Sequence, residues 1–107
     1  MGPKLRIKRT IESLNYDVFE KLTRALNQEI STIGSYLDLA GRLNCTVVDV
    51  QKFALERNPT LALLEHWCSS KCGAEKTVTI LMSHLQAIGR DDLVEFLRPH
   101  EYEYIDN

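Results

Sequence analysis

Between Asn15 and Pro99, apolar residues return every three or four positions in six short runs, each fenced by a capping or breaking residue. That spacing is the period of an α-helix, and alternating strand patterns are nearly absent. A short helix with one apolar stripe must bury it against a neighbour. The fold class expected is therefore all-α, a six-helix bundle.

The first run carries Val18, Leu22 and Leu26, with Asn15 as expected N-cap, Asp17 in the first turn and Asn27 as the stop. The second carries Ile33, Tyr36, Leu37, Ala40 and Leu43, and Gly34 weakens its start. Thr46-Val47-Val48-Asp49 has the form of a capping box, followed by Val50, Phe53 and Ala54 as the inner face of a third helix. Asn58-Pro59 reads as a cap and a proline at the first helical position. Leu63, Leu64 and Trp67 then form the stripe of a fourth helix, and the polar stretch Ser69 to Lys76 forms a loop. A fifth helix from Thr77 holds Val78, Leu81, Leu85 and Ile88 and ends at Gly89. Asp92 is expected to cap the sixth, with Glu95 at its third position, Leu93, Phe96 and Leu97 turned inward, and Pro99 closing it.

The chain has 107 residues, enough for one core, and a formal net charge of −2. A small helical nucleic-acid binder is one reading of such a bundle. It needs a positive face for phosphates, and no helix carries a basic stripe. No apolar run approaches the roughly 20 residues that cross a bilayer, so no membrane insertion is expected. The N-terminus is basic without an apolar segment behind it and is not read as a secretory leader. A myristoylation start is disfavoured because Arg6 stands where serine or threonine is wanted. Lys4, Arg6, Lys8 and Arg9 form a basic head; Glu101, Glu103 and Asp106 form an acidic tail. Both are expected as solvated flanks, residues 1–13 and 100–107, around a domain over residues 14–99, with the tail a linker towards a further domain.

Three cysteines, Cys45, Cys68 and Cys72, are an odd number and are read as free thiols in a reducing compartment, hence a cytoplasmic location. The stretch Leu63 to Cys72 also holds His66 and the sole tryptophan. Cys68 and Cys72 make one pair where structural zinc wants two, and their spacing is not that of a redox pair. Trp67 lies three and four residues beyond Leu64 and Leu63, which makes it core. There is no glycine-rich phosphate loop, and Asp91-Asp92 is explained by a helix start. No catalytic residue, cofactor or metal is expected.

The run from Leu39 to Trp67 and the run from Thr77 to Leu97 together resemble a death domain. The matching pieces are L-A-x-x-L, N-P-T, L-L-x-x-W, T-V and I-G-R-D-D-L, in that order. Within that superfamily, P-T-x-x-L-L-x-x-W and the G-R-D-D corner are most like the death domains of Toll and interleukin-1 receptor adaptors. Tyr36 stands where many death domains have tryptophan. The resemblance implies an antiparallel Greek-key bundle without catalysis. It implies homotypic association with other death domains, such as that of a receptor-associated kinase, through three kinds of asymmetric contact that build a higher-order oligomer.

Charged residues not needed for packing supply the expected contacts: Asp38 and Arg42 on the second helix; Lys52, Glu56 and Arg57 on the third; Lys71, Glu75 and Lys76 on the loop; Arg90 and Asp91 at the last corner. Arg90 has no capping duty in this reading and is expected to be exposed, facing Glu75 of a neighbour. The expected core is Leu22, Leu39, Leu43, Val50, Phe53, Leu63, Leu64, Trp67, Leu81, Leu85 and Leu93.

Overall fold

The computed structural model describes residues 4–28, 34–69 and 76–106, with Lys4, Ile105 and Asp106 described by backbone alone. Among the described residues there are six α-helices: α1 Tyr16–Asn27, α2 Tyr36–Arg42, α3 Val47–Ala54, α4 Pro59–Ser69, α5 Val78–Ala87 and α6 Asp91–Leu97. Single 3-10 turns at Ile11–Ser13 and Arg98–His100 flank them. The helix α4 packs on α1, α2 and α3, while α5 packs on α6 and α2.

The helix boundaries follow the capping chemistry. Thr46 accepts from the Asp49 amide at 3.1 Å, and Asp49 returns the bond to the Thr46 amide at 3.0 Å. Thr77 accepts from Ile80 N–H, and Gly89 ends α5 with φ +81°. Its amide reaches Gln86 O, and that of Arg90 reaches Leu85 O, which satisfies two of the carbonyls left open at a helix end. The same geometry closes α2 at Asn44, φ 61°, with Cys45 N–H donating to Ala40 O. The expected helix start near Ile33 lies outside the described residues. Ser35 is the N-cap of α2, and it forms a capping box with Asp38. Gly34 precedes the helix instead of weakening it. A Cβ there would stand 2.5 Å from Ile88 O, so the close approach of the two backbones requires glycine.

The core is largely as the stripes predict. Leu22, Leu39, Phe53, Leu63, Leu64, Trp67, Leu81, Leu85 and Leu93 are buried, joined by Leu26, Val78, Val94 and Leu97. Each fully buried leucine is worth about 1.5–3 kcal/mol over leaving it in water. Leu43 and Val50 are half-buried against that cluster. Ala54 and Leu37 are exposed, contrary to the inward reading. The two-turn helix α3 presents only one face to the core, and Phe53 fills it.

Two further expectations change. Helix α6 begins at Asp91, with Arg90 as N-cap, and not after Asp92. The Arg90 amide is used up closing α5, while its carbonyl accepts from Leu93 and Val94, so the helix starts two residues early. The flanks also meet. Lys4–Lys8 (β1) and Tyr102–Asp106 (β2) pair antiparallel, with Leu5 opposite Ile105 and Arg6 opposite Tyr104. The guanidinium of Arg6 lies 4.1 Å from the Tyr102 ring centroid. An isolated two-stranded ribbon is marginal in water. This one is tied to the bundle by Arg9 N–H to Glu101 O, Val78 N–H to Arg9 O and Ile11 N–H to Lys76 O.

Candidate interaction surface

A buried polar network sets α4 against α1. Asn27 Nδ2 donates to Asn58 Oδ1 at 2.8 Å, and Asn58 Nδ2 donates to Thr23 Oγ1 at 3.1 Å. The Asn27 side-chain oxygen accepts from both the amide and the hydroxyl of Thr60, at 2.9 and 2.6 Å. Asn58 accepts from Leu61 N–H as a proper N-cap. Asn27, expected only to stop α1, therefore also caps a helix distant in sequence. Thr23 and Thr60 are fully buried and Asn27 and Asn58 half-buried, so the network holds α1 and the start of α4 in a fixed relation.

On that frame α3 turns an unusual face outwards. Val47 is 74% exposed, Val48 58% and Leu55 87%. Lys52, Glu56 and Arg57 stand exposed among them, as expected. Sequence reasoning named the charges and missed the apolar residues. Val48 and Leu55 are seven apart, on the side opposite Phe53, and that spacing was the available signal. Beside this face, an open groove of about 570 Å³ runs between the end of α3 and α4, lined by Arg57, Leu61, Ala62, Glu65 and His66. A second groove, about 560 Å³, lies between α4 and the start of α1, walled by Ile11, Tyr16, Phe19 and Leu64.

The remaining expected contact residues divide. Arg42 and Asp91 are exposed. Asp38 is exposed too, but its carboxylate is engaged by the Ser35 amide at 2.9 Å. Lys76 is half-buried, its ammonium 5.3 Å from the Trp67 ring centroid. Lys71 and Glu75 lie outside the described residues.

Arg90 corrects the reading most. It is 6% exposed, not a surface residue. Its guanidinium donates to Gly34 O at 2.8 Å and Ala25 O at 3.4 Å, and it grips both oxygens of Asp92 at 3.0 and 2.9 Å. That grip holds the Asp92 carboxyl below its usual range. Arginine is suited to this place because its fork of donors serves several acceptors at once. The proposed partner Glu75 in a neighbouring copy has no exposed guanidinium here to meet.

The two described thiols give no sign of a nucleophile. Burial pushes both Cys45 and Cys68 up from the ordinary thiol value, and each is a free cysteine; Cys72 lies outside the described residues. His66 turns away from the core, as expected, and lies edge-on to Phe53 with centroids 5.5 Å apart. Among the described residues, Cys45, Asp49 and His66 are the group able to offer three metal-ligand atoms to one point. No described helix is long and apolar enough to cross a membrane.

Comparison with known proteins agrees with this architecture. A family model described as the Death domain matches residues 20–100. The chain is also 37% identical over 59 residues to the "Death domain-containing membrane protein NRADD" of Rattus norvegicus. That stretch covers 55% of this chain and 25% of the relative, so the match spans a quarter of the relative's length.

Proposed function

The chain belongs to the death domain family, and from that premise we propose that it is a non-catalytic module that assembles an intracellular signalling oligomer. Death domains bind other death domains, and the six-helix fold described above is theirs. The observation that carries the proposal is the outer face of α3, where Val47, Val48 and Leu55 sit exposed among Lys52, Glu56 and Arg57. Clustered apolar residues rimmed by charge are expensive in water and mark protein contact sites. Arg42 and Asp38 on α2 and Asp91 on α6 offer further exposed charges. A contact between unlike patches on successive copies stacks them into a ring or helix.

The finer reading is an adaptor in Toll and interleukin-1 receptor-type innate immune signalling, after the myeloid differentiation primary response protein. Its support is P-T-x-x-L-L-x-x-W on α4 and G-R-D-D at the start of α6. Its natural partner is a death domain on a receptor-associated kinase, in the cytoplasm, where unpaired thiols persist. A receptor's own death domain is the second reading, favoured by the rat relative, which is named a membrane protein.

Light scattering of the purified chain, alone and mixed with death domains of kinases, adaptors and receptors, tests the proposal. The expected result is a mass above the monomer, alone or with one of those partners, and lost on Leu55→Glu. A monomer in every mixture contradicts it.

A further inference from the structure

Three side chains of different chemistry meet where the α2–α3 turn crosses α4. Cys45 closes the turn, Asp49 is the third residue of α3, and His66 lies in the second half of α4. One ligand atom from each lies within 4.8 Å of the others. We propose that Cys45, Asp49 and His66 form a binding site for a borderline-soft divalent cation, with Zn²⁺ as the ion that fits best.

Thiolate, imidazole and carboxylate are the three ligand types that zinc accepts, and sites with three protein ligands keep a fourth position open. At Zn–ligand distances of roughly 2.0–2.3 Å, a tetrahedron separates its ligand atoms by roughly 3.3–3.8 Å. His66 Nε2 and Asp49 Oδ2 already stand 3.8 Å apart. That is too far for a hydrogen bond and close to the separation a shared ion would set. The thiol lies within 4.8 Å of both, a gap that a rotamer adjustment can shorten.

Each ligand is supported from behind. Asp49 Oδ2 accepts from the Thr46 amide at 3.0 Å, an outer hydrogen bond of the sort that orients ligating carboxylates. The His66 ring rests on the edge of Phe53. The Cys45 backbone is pinned by its bond to Ala40 O at 3.1 Å. On binding, the Cys45 S–H bond breaks, the S–Zn bond forms and the proton leaves to solvent. One thiolate and one carboxylate then balance the double charge of the ion, and neutral imidazole adds a third bond. Such an ion would tie α3 to α4 beside the exposed apolar face. The site shares no cysteine with the Cys68–Cys72 pair.

The test uses the full reduced chain, stripped by chelator and titrated with Zn²⁺ against a chromophoric competitor, then with Co²⁺ for its spectrum. The expected result is one equivalent of Zn²⁺. Binding should weaken by about 10–100-fold or more in Cys45→Ser and His66→Gln, since even outer-shell losses cost that much. A Cys68→Ser/Cys72→Ser double variant should bind as wild type and give a thiolate-to-cobalt charge-transfer band. Absence of binding in the wild type overturns the proposal. So does binding that survives both Cys45→Ser and His66→Gln, or that disappears with Cys68 and Cys72. Should either single variant fail to fold, the cobalt spectrum of the double variant decides alone, and a spectrum without the thiolate band overturns the site.

Discussion

The Arg90 corner and the outer face of α3 use opposite kinds of side chain for the places they occupy. At the corner a guanidinium is 6% exposed and spends its donors on Gly34, Ala25 and Asp92. On α3 a leucine is 87% exposed, beside two exposed valines. The charge inside is consumed by the fold, since an unpaired buried cation is far costlier than the bonds it makes. The apolar residues outside do nothing for the fold that the structure shows. The two regions therefore divide the labour: the corner supports the shape, and the outer face of α3 is the surface proposed to bind. Substitutions should separate these roles.

The largest expected effect is inside. Trp67→Ala removes a core ring 7% exposed and should cost about 3–5 kcal/mol, read by chemical denaturation. A shift well under 1 kcal/mol would show that α4 tolerates a void the packing does not allow. Next comes Arg90→Ala, which strands the carbonyls of Gly34 and Ala25. A charged hydrogen bond is worth about 1.5–3 kcal/mol, so a loss of about 3 kcal/mol is expected. An unchanged melting temperature would put the side chain back in solvent and erase the contrast with α3. Asn58→Ala opens the network around Thr23, Asn27 and Thr60 and should cost about 1–3 kcal/mol.

A smaller effect follows pH. Burial beside Trp67 pushes His84 below the ordinary histidine value, and the charge of Arg42 pushes the same way. Between the folded pKa and about 6.5, the unfolded chain therefore binds more protons than the folded one. This contribution is fully present above about pH 6.5 and is lost as pH falls through the folded pKa. NMR titration should place the His84 midpoint below 6.5, and His84→Gln should flatten the acid side of the stability curve. A midpoint at or above 6.5 contradicts the burial.

What the sequence revealed was mostly local chemistry. Thr46 and Asp49 sit three apart, Asn58 precedes Pro59, and Gly89 follows the last apolar residue of its stripe, so those boundaries can be read directly. The burial of Arg90 could not be read because two of its acceptors are backbone carbonyls 56 and 65 residues away, which carry no side-chain signature. The ribbon was obscured differently. The alternation in Lys4-Leu5-Arg6-Ile7-Lys8 is plain, but its partner is at the far end of the chain, and the charges suggested two solvated flanks. The family resemblance pointed to charged contact residues. It did not show that Val47, Val48 and Leu55 stand between them.

The most direct test of this division is Leu55→Glu, measured for melting and for association on the same sample. Leu55 touches little, so stability should change by less than about 0.5 kcal/mol, as for surface substitutions generally. Light scattering should show the assembly seen with the wild type, alone or with its partner death domain, reduced to the monomer. A Leu55→Glu protein that melts like the wild type and still assembles like it would contradict the central claim that the outer face of α3 is the binding surface.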